Sequence, residues 1–297
     1  MRVNPNFTPT ILTELFLSQS QEQTTLEQMA TGQLINMPSD NPAGAATLVQ
    51  NMTEQNSADQ FLQNTSSVEG LLQTADSTLS SLVEALNQAI SLGVQGGSST
   101  ATQQNQQQIA QQVQEIQTQV LQLANTSYQG NYIFAGTAST TVPFTANSSA
   151  PDGVTYNGND NTNSVEIAEG RSIQINVPGS QIFQGAGGDV MGSLQQLVTA
   201  LQSGDITSID NATTQLGTAL NYVSQQRVFY GNAMDQLNSN QSYLQQEQVN
   251  LQSQANTLDA VNMAQAATNL SQAQVTQNAT LAALAKIIPV TLLDYLK

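Results

Sequence analysis

A repeat of thirteen positions in the C-terminal third constrains the fold most. Its steps of four and three residues place one side chain per turn on a single helix face, and ten of the thirteen are apolar. At about 1.5 Å per residue, about 43 residues extend over about 65 Å. We therefore expect a coiled coil or an elongated helical bundle. The positions are Leu216, Leu220, Val223, Arg227, Tyr230, Met234, Leu237, Gln241, Leu244, Gln248, Leu251, Ala255 and Leu258.

The two ends of the chain carry further apolar helical patterns. The long repeat changes frame at Asp259–Asn262, where we expect a domain border. Met263, Ala267, Leu270, Leu281, Leu284 and Ile288 follow the new frame, with Gln274 and Gln277 as its polar members. Because the N-terminal segment is too short to be stable alone, we expect it to pair with the C-terminal segment.

An apolar surface left exposed by such a pair usually marks an interaction site. We predict that sixteen residues of the two ends form subunit contacts; the alternative is a closed bundle in which they are ordinary core. The sixteen are Ile11, Leu12, Leu15, Phe16, Leu26, Met29, Met263, Ala267, Leu270, Leu281, Leu284, Ile287, Ile288, Leu292, Leu293 and Leu296.

The middle of the chain changes from helical to extended patterning. Apolar positions at helical spacing over 72–89 and 109–123, separated by glycines, predict a helical hairpin. From about residue 135 to 188, alternating Val and Ile residues between Pro and Gly turns predict short strands. The fold class is therefore mainly α with a β-rich insertion, and the elongated helical bundle or coiled coil is formed by the N- and C-terminal segments.

Composition argues against most catalytic chemistry. The chain has no Cys and no His, so the usual zinc and iron ligands and the commonest general base are missing. We predict no catalytic residue, no cofactor and no metal site; a calcium loop in 152–166 is disfavoured because no Glu stands at the required offset. Five basic against 21 acidic residues disfavour nucleic acid and anionic membranes as partners. We expect Arg227 to snorkel or to pair with a carboxylate.

The loop between the first two helical segments resembles a known family. Residues 30–46, ATGQLINMPSDNPAGAA, are similar to the N-terminal loop of the bacterial flagellin-like family, with Gly32, Pro38, Ser39, Asp40, Asn41 and Pro42 as its characteristic residues. Residues 227–237 and 259–270 resemble the C-terminal half of that family. Gly130–Gly136 and the ending 281–297 favour its hook-associated protein 3 branch over flagellins. This chain has Gln33 and Leu34 where the family usually has Lys-Arg.

The resemblance implies a nested arrangement of three domains. Residues 1–45 and 262–297 would form a terminal coiled-coil assembly domain, which we expect to be disordered in the free subunit. Residues 46–134 and 189–261 would form an elongated helical domain, and 135–188 a β-rich outer domain.

The resemblance also implies a secreted, structural function without enzymatic activity. The chain would form a ring between hook-associated protein 1 and flagellin in the extracellular flagellum. It would be exported by the flagellar type III apparatus, with a dedicated chaperone on its C-terminal segment. One alternative is flagellin itself, and another is a surface adhesin or binding module carried by the β insertion.

Overall fold

Seven helices and eight short strands make up the part of the chain that the computed structural model describes, which is residues 7–293, with side chains for residues 9–285. The helices are α1 (Phe7–Thr31), α2 (Pro42–Gly96), α3 (Gln103–Ala124), α4 (Gly179–Phe183), α5 (Val190–Ser203), α6 (Ile206–Asp259) and α7 (Met263–Leu293). The strands are β1 (Ser127–Tyr128), β2 (Asn131–Tyr132), β3 (Phe144–Ala146), β4 (Val154–Tyr156), β5 (Ser164–Ala168), β6 (Arg171–Gln174), β7 (Gln184–Gly185) and β8 (Gly188–Asp189).

This order confirms the prediction of a mainly α chain with a β-rich insertion. One local feature differs from the prediction: the short helix α4 lies inside the insertion. None of the helices in residues 7–293 is long and apolar enough to cross a membrane.

The segment between α3 and α5 contains four antiparallel hairpins, β1–β2, β3–β4, β5–β6 and β7–β8, and the first of them lies before the predicted insertion of 135–188. The longest is β5–β6, in which Val165 lies opposite Ile173. Helices hold this hairpin through asparagine side chains: Asn64 donates to the carbonyl of Glu166 at 3.1 Å, and Asn240 donates to that of Ile167 at 2.6 Å.

The chain divides into two compact units. Unit 1 comprises Met1–Ser57 and Gln246–Lys297, and unit 2 comprises Ala58–Gln245. The finer three-domain division stays a prediction.

Unit 2 contains a large apolar core. Leucines of α2, α5 and α6 and the β-branched residues of α3 lie in one cluster with Phe134, Phe144 and Phe183. Phe183 makes edge contacts with both other rings at centroid distances of 5.3 Å. The hydroxyl of Tyr230 is fully buried and accepts a hydrogen bond from the Val177 N–H, and burial raises the pKa of that tyrosine.

The thirteen-position repeat lies on the inner face of α6. Its members are all buried or half-buried, which confirms the predicted frame. Arg227, the one charged member, pairs with Asp76 through its Nε and Nη2 at 2.9 and 3.1 Å. The predicted carboxylate partner is therefore Asp76, and this is the single salt bridge within the described residues.

Candidate assembly surface

Helices α1 and α7 pack against each other in unit 1. They run antiparallel, because Ser18 contacts Ala273 while Gln33, beyond the end of α1, pairs with Ala260, before the start of α7. Each helix presents residues in steps of four and three to the other. The buried and half-buried positions that follow these steps are Ile11, Leu15, Ser18, Glu22, Thr25 and Met29 on α1, and Ala266, Leu270, Ala273, Gln277, Thr280 and Leu284 on α7.

The centre of this seam is made of small and polar side chains. Ser18 and Thr25 are the buried members on α1, and Ala266 and Ala273 are their counterparts on α7. The Ser18 hydroxyl donates to the Ala273 carbonyl at 3.0 Å. Such a seam removes little apolar area from water, and burial stabilises by only about 25 cal/mol per Å². The pair is therefore weakly held compared with the core of unit 2.

Large apolar side chains lie outside the seam. Among the side chains that the structure describes, twelve of the seventeen exposed large hydrophobic residues belong to unit 1, which is the smaller unit, and five apolar residues of that unit are buried. Phe16 is 67% exposed, and Leu12 and Leu26 lie on the same face of α1. An apolar surface of this extent is characteristic of an interaction site rather than of a monomer's exterior.

The sixteen predicted contact residues fall into three groups. Ile11, Leu15, Met29, Leu270 and Leu284 lie in the α1–α7 seam, whereas Leu12, Phe16, Leu26, Met263, Ala267 and Leu281 are exposed. Ile287, Ile288, Leu292 and Leu293 lie where only the backbone is described, and Leu296 lies outside the described residues. Their function as subunit contacts stays a prediction.

The predicted frame of α7 is partly wrong. Leu270, Gln277 and Leu284 lie on the seam as expected, but their neighbours on it are Ala266, Ala273 and Thr280. The predicted neighbours Ala267, Gln274 and Leu281 are exposed. In the antiparallel pair with α1, helix α7 buries the face that carries Ala273 and Thr280. The larger Gln274 and Leu281 on the adjacent face remain in solvent.

Short polar side chains build the loop between α1 and α2. Gly32, at a φ of +74°, follows α1, and its N–H donates to the Gln28 carbonyl. Asp40 Oδ2 accepts from the backbone N–H groups of Asn36 and Met37 at 3.1 and 2.9 Å. Asn41 Oδ1 accepts from the Gly44 N–H at 3.0 Å, which caps α2 just before Pro42.

The loop is joined to the break between α6 and α7, and sequence reasoning missed this contact. The Leu34 N–H donates to the Asp259 carbonyl at 2.6 Å, and the Ile35 N–H donates to Asp259 Oδ1 at 2.8 Å. The Val261 N–H donates in return to the Gly32 carbonyl at 3.2 Å. The loop within residues 30–46 and the break at Asp259–Asn262, which the sequence indicated separately, thus form one structure.

The same loop exposes apolar side chains. Ile35 is buried against Gly44, where a Cβ would lie 2.7 Å from Ile35 Cδ1, so this close approach requires glycine. Leu34 and Met37 are exposed. Leu34 occupies one of the two positions where the family usually has Lys-Arg, so the chain presents an apolar group there instead of a cation.

The described part of the chain holds no group of three or more acidic, His or Cys side chains that could bind a metal ion. Asp152 accepts a hydrogen bond from the Gln184 amide, and Asp160 accepts one from the Ser180 hydroxyl. These two acids of the insertion therefore have local hydrogen-bonding functions.

The comparisons with known proteins agree with this architecture. Residues 8–140 match the bacterial flagellin N-terminal helical region, and residues 206–296 match the bacterial flagellin C-terminal helical region. Flagellin of Listeria innocua is 25% identical over 266 residues, which cover 89% of this chain and 88% of that protein. Flagellar hook-associated protein 3 of Salmonella typhimurium is 30% identical over 158 residues, 53% of this chain and 48% of that protein.

Solved structures share the fold. A putative flagellar hook-associated protein from Vibrio parahaemolyticus superimposes with a TM-score of 0.68 at 17% identity, covering 74% of this chain and 100% of that one. FlgL of Bacillus cereus superimposes with a TM-score of 0.59 at 22% identity, covering 71% of this chain and 99% of that one. With both conserved helical regions present and this fold, the chain belongs to the flagellin family of structural subunits of the bacterial flagellum.

Proposed function

We propose that this chain is the subunit that joins the hook to the flagellin filament, and that it assembles through the exposed apolar faces of unit 1. The observation that carries the proposal is the composition of that unit: small and polar side chains form the centre of the α1–α7 seam, while Leu12, Phe16 and Leu26 remain in solvent. Their burial against neighbouring subunits supplies the driving force, at about 1.5–3 kcal/mol for each large side chain.

The weak α1–α7 seam also supports an order–disorder step on assembly. In the free subunit the terminal segments, residues 1–45 and 262–297, are loosely ordered, and they fold fully when neighbouring subunits cover them. Coupling folding to association in this way limits premature aggregation before export. We also propose that a chaperone binds the C-terminal segment and that the flagellar type III apparatus exports the chain. The chaperone would likewise limit aggregation before export.

Two segments are the reason for assigning this chain to the junction rather than to the filament. Gly130–Gly136 and the final seventeen residues resemble hook-associated protein 3, and the Salmonella typhimurium protein of that name is 30% identical over about half of this chain. The neighbouring subunits would then be hook-associated protein 1 on one side and flagellin on the other. Flagellin itself is the second candidate, because the Listeria innocua flagellin aligns over 89% of the chain.

Immunogold labelling of isolated flagella separates the two candidates. For a junction subunit we expect gold in one narrow band between hook and filament, and gold along the whole filament would contradict that assignment. Deleting the gene should release unassembled flagellin into the medium if the chain is required at the junction.

Substitution of the apolar face tests the mechanism. We expect the double variant Leu12→Ser with Phe16→Ser to lower the assembled fraction by more than about tenfold, because about 1.4 kcal/mol of lost burial corresponds to a factor of ten. The free energy of unfolding should change by less than about 0.5 kcal/mol, since both side chains are exposed. The matched control is Val94→Ser with Val228→Ser, two equally exposed residues of unit 2. Normal assembly of the α1 variant, or equal loss in the control, would reject the mechanism.

A further inference from the structure

Asn157 and Gly158 form the single Asn-Gly pair of the sequence. Asn157 directly follows β4, and its side chain is exposed. The Asn157 N–H donates to the Pro143 carbonyl at 2.7 Å. Its Nδ2 donates to the Thr145 hydroxyl at 3.0 Å and to the Thr155 carbonyl at 3.5 Å. The backbone position of Asn157 and the orientation of its amide are therefore fixed by neighbouring groups of the β3–β4 hairpin.

The two groups that could react with each other here are the Gly158 nitrogen and the side-chain carbonyl of Asn157. Among the described residues, neither the Gly158 N–H nor Asn157 Oδ1 takes part in a hydrogen bond. A Cβ at residue 158 would lie 2.5 Å from Tyr156 Oη and 2.8 Å from the Ala135 carbonyl oxygen, so this close approach requires glycine. Because glycine has no Cβ, its backbone nitrogen is less shielded from the preceding side chain than that of any other residue.

We propose that Asn157 is a site of spontaneous deamidation. The Gly158 nitrogen loses its proton and bonds to Asn157 Cγ, the bond from Cγ to Nδ2 breaks, and ammonia leaves with that proton. The product is a succinimide ring. One water molecule then opens the ring at either carbonyl, which gives aspartate or isoaspartate. The net reaction converts the amide and one water into a carboxyl group and ammonia, without oxidation or reduction.

Asn147 provides an internal comparison, because it lies in the turn of the same hairpin and is followed by a serine. Its Oδ1 accepts from the Ser149 N–H at 3.0 Å, and its Nδ2 donates to the Thr155 hydroxyl at 2.9 Å. Both polar atoms of the Asn147 amide are therefore held by hydrogen bonds, and Ser148 carries a Cβ beside its nitrogen. We expect Asn147 to react more slowly than Asn157 for both reasons.

The isoaspartate product would disturb the segment that follows Asn157. Its main chain runs through the former side chain and is one carbon atom longer at this point. The Asn159 N–H donates to the Ala135 carbonyl at 3.1 Å, and Asn159 Oδ1 accepts from the Thr137 N–H at 2.9 Å. We expect the longer main chain to displace Asn159 and to weaken both hydrogen bonds. The aspartate product keeps the ordinary main chain, and the Thr145 hydroxyl can donate to its carboxylate.

Peptide mapping by mass spectrometry of the full chain during incubation tests the reaction. We expect deamidation of Asn157 to be at least about tenfold faster than that of Asn147, because two hydrogen bonds and a Cβ oppose ring closure at Asn147. The rate at Asn157 should rise from mildly acidic to mildly alkaline pH, because the attacking nitrogen must lose its proton. Electron-transfer fragmentation should detect both isoaspartate and aspartate at residue 157. Equal rates at the two asparagines, a rate that does not rise with pH, or aspartate as the single product would overturn the inference.

Hydrogen exchange of the Asn159 amide measures the structural effect of the reaction. We expect this amide to exchange faster in the incubated chain than in the fresh chain. Asn157→Gln is the matched variant, because a glutamine side chain keeps the amide but cannot form the same ring with Gly158. The variant should show no gain in exchange after the same incubation. An equal gain in both chains, or no gain in the original chain once isoaspartate has accumulated, would overturn the inference.

Discussion

Several acidic side chains in this protein accept hydrogen bonds from backbone N–H groups. Asp40, Asp189 and Asp259 each accept from backbone N–H groups in a loop or at a helix start. Asp189 is the N-cap of α5, with its Oδ1 2.8 Å from the Gly192 N–H. Burial raises the pKa of Asp189, the charge of Asp152 raises it further, and the Gly192 hydrogen bond opposes both. The folded chain therefore holds a proton on Asp189 more tightly than the unfolded chain does.

This raised pKa determines the pH dependence of Asp189→Asn. The stability that Asp189 contributes is fully present below the ordinary Asp pKa of 3.8 and is lost as the pH rises through its raised folded value. Asparagine keeps the capping oxygen without a charge to bury. We expect the variant to be more stable than the original chain at neutral pH, with the difference shrinking as the pH falls.

Urea unfolding at neutral pH and at a pH below 3.8 measures the difference in the free energy of unfolding between Asp189→Asn and the original chain. Asp235→Asn, at an exposed position of α6, is the control for the removal of one negative charge. A constant difference between Asp189→Asn and the original chain at both pH values would contradict the assignment.

At the scale of elements, local chemistry specifies the helix ends, whereas the sequence specifies a buried helix face only where large apolar residues fill a single frame. Asn41 and Pro42 define where α2 begins, and Asp259 and Met263 mark the break between α6 and α7. The repeat on α6 also predicts its buried face correctly, because large apolar residues occupy nearly every position of a single frame. On α7, alanines and leucines populate several frames, so the sequence pattern does not distinguish among them.

The start of α2 provides a prediction at this scale. We expect Asn41→Ala to destabilise the first turn of α2 by about 1 kcal/mol, because the Gly44 N–H loses its acceptor. Hydrogen exchange of the Gly44 and Ala45 amides measures the effect locally. Asn41→Ser retains a capping oxygen and should exchange at nearly the original rate. Equal exchange rates in the original chain, Asn41→Ala and Asn41→Ser would mean that the Asn41 cap does not stabilise the first turn of α2.

At the scale of the whole molecule, the two units differ in how they bury apolar surface. Unit 2 has a core of leucine, isoleucine and phenylalanine side chains with little or no exposure, whereas the described part of unit 1 buries five apolar residues and exposes twelve large ones. Under the proposed assembly, unit 2 is stable by itself and unit 1 gains further burial from neighbouring subunits. This asymmetry is what a polymerising subunit requires, because it ties stability of the ends to assembly.

Limited proteolysis tests that asymmetry. We expect thermolysin to remove both ends of the free chain rapidly and to leave a resistant fragment that lies within residues 46–261. In assembled flagella the same ends should resist cleavage, because neighbouring subunits cover them. Mass spectrometry of the fragments gives the borders. Cleavage that begins within 135–188 while the ends persist would contradict the predicted order of stability.

The sequence alone determined the helical repeat of α6, the short strands of the insertion, the loop within residues 30–46 and the absence of Cys and His. These features depend on periodicity and residue type within short stretches, which are local. Only the tertiary structure decided that Asp259 binds the backbone of Leu34 and Ile35, and that α1 and α7 meet through Ser18, Thr25, Ala266 and Ala273. Those contacts join residues more than 200 positions apart, and the pairing of two helices depends on the faces of both partners together. The exposure of the apolar face of α1 follows from this pairing of the two helices.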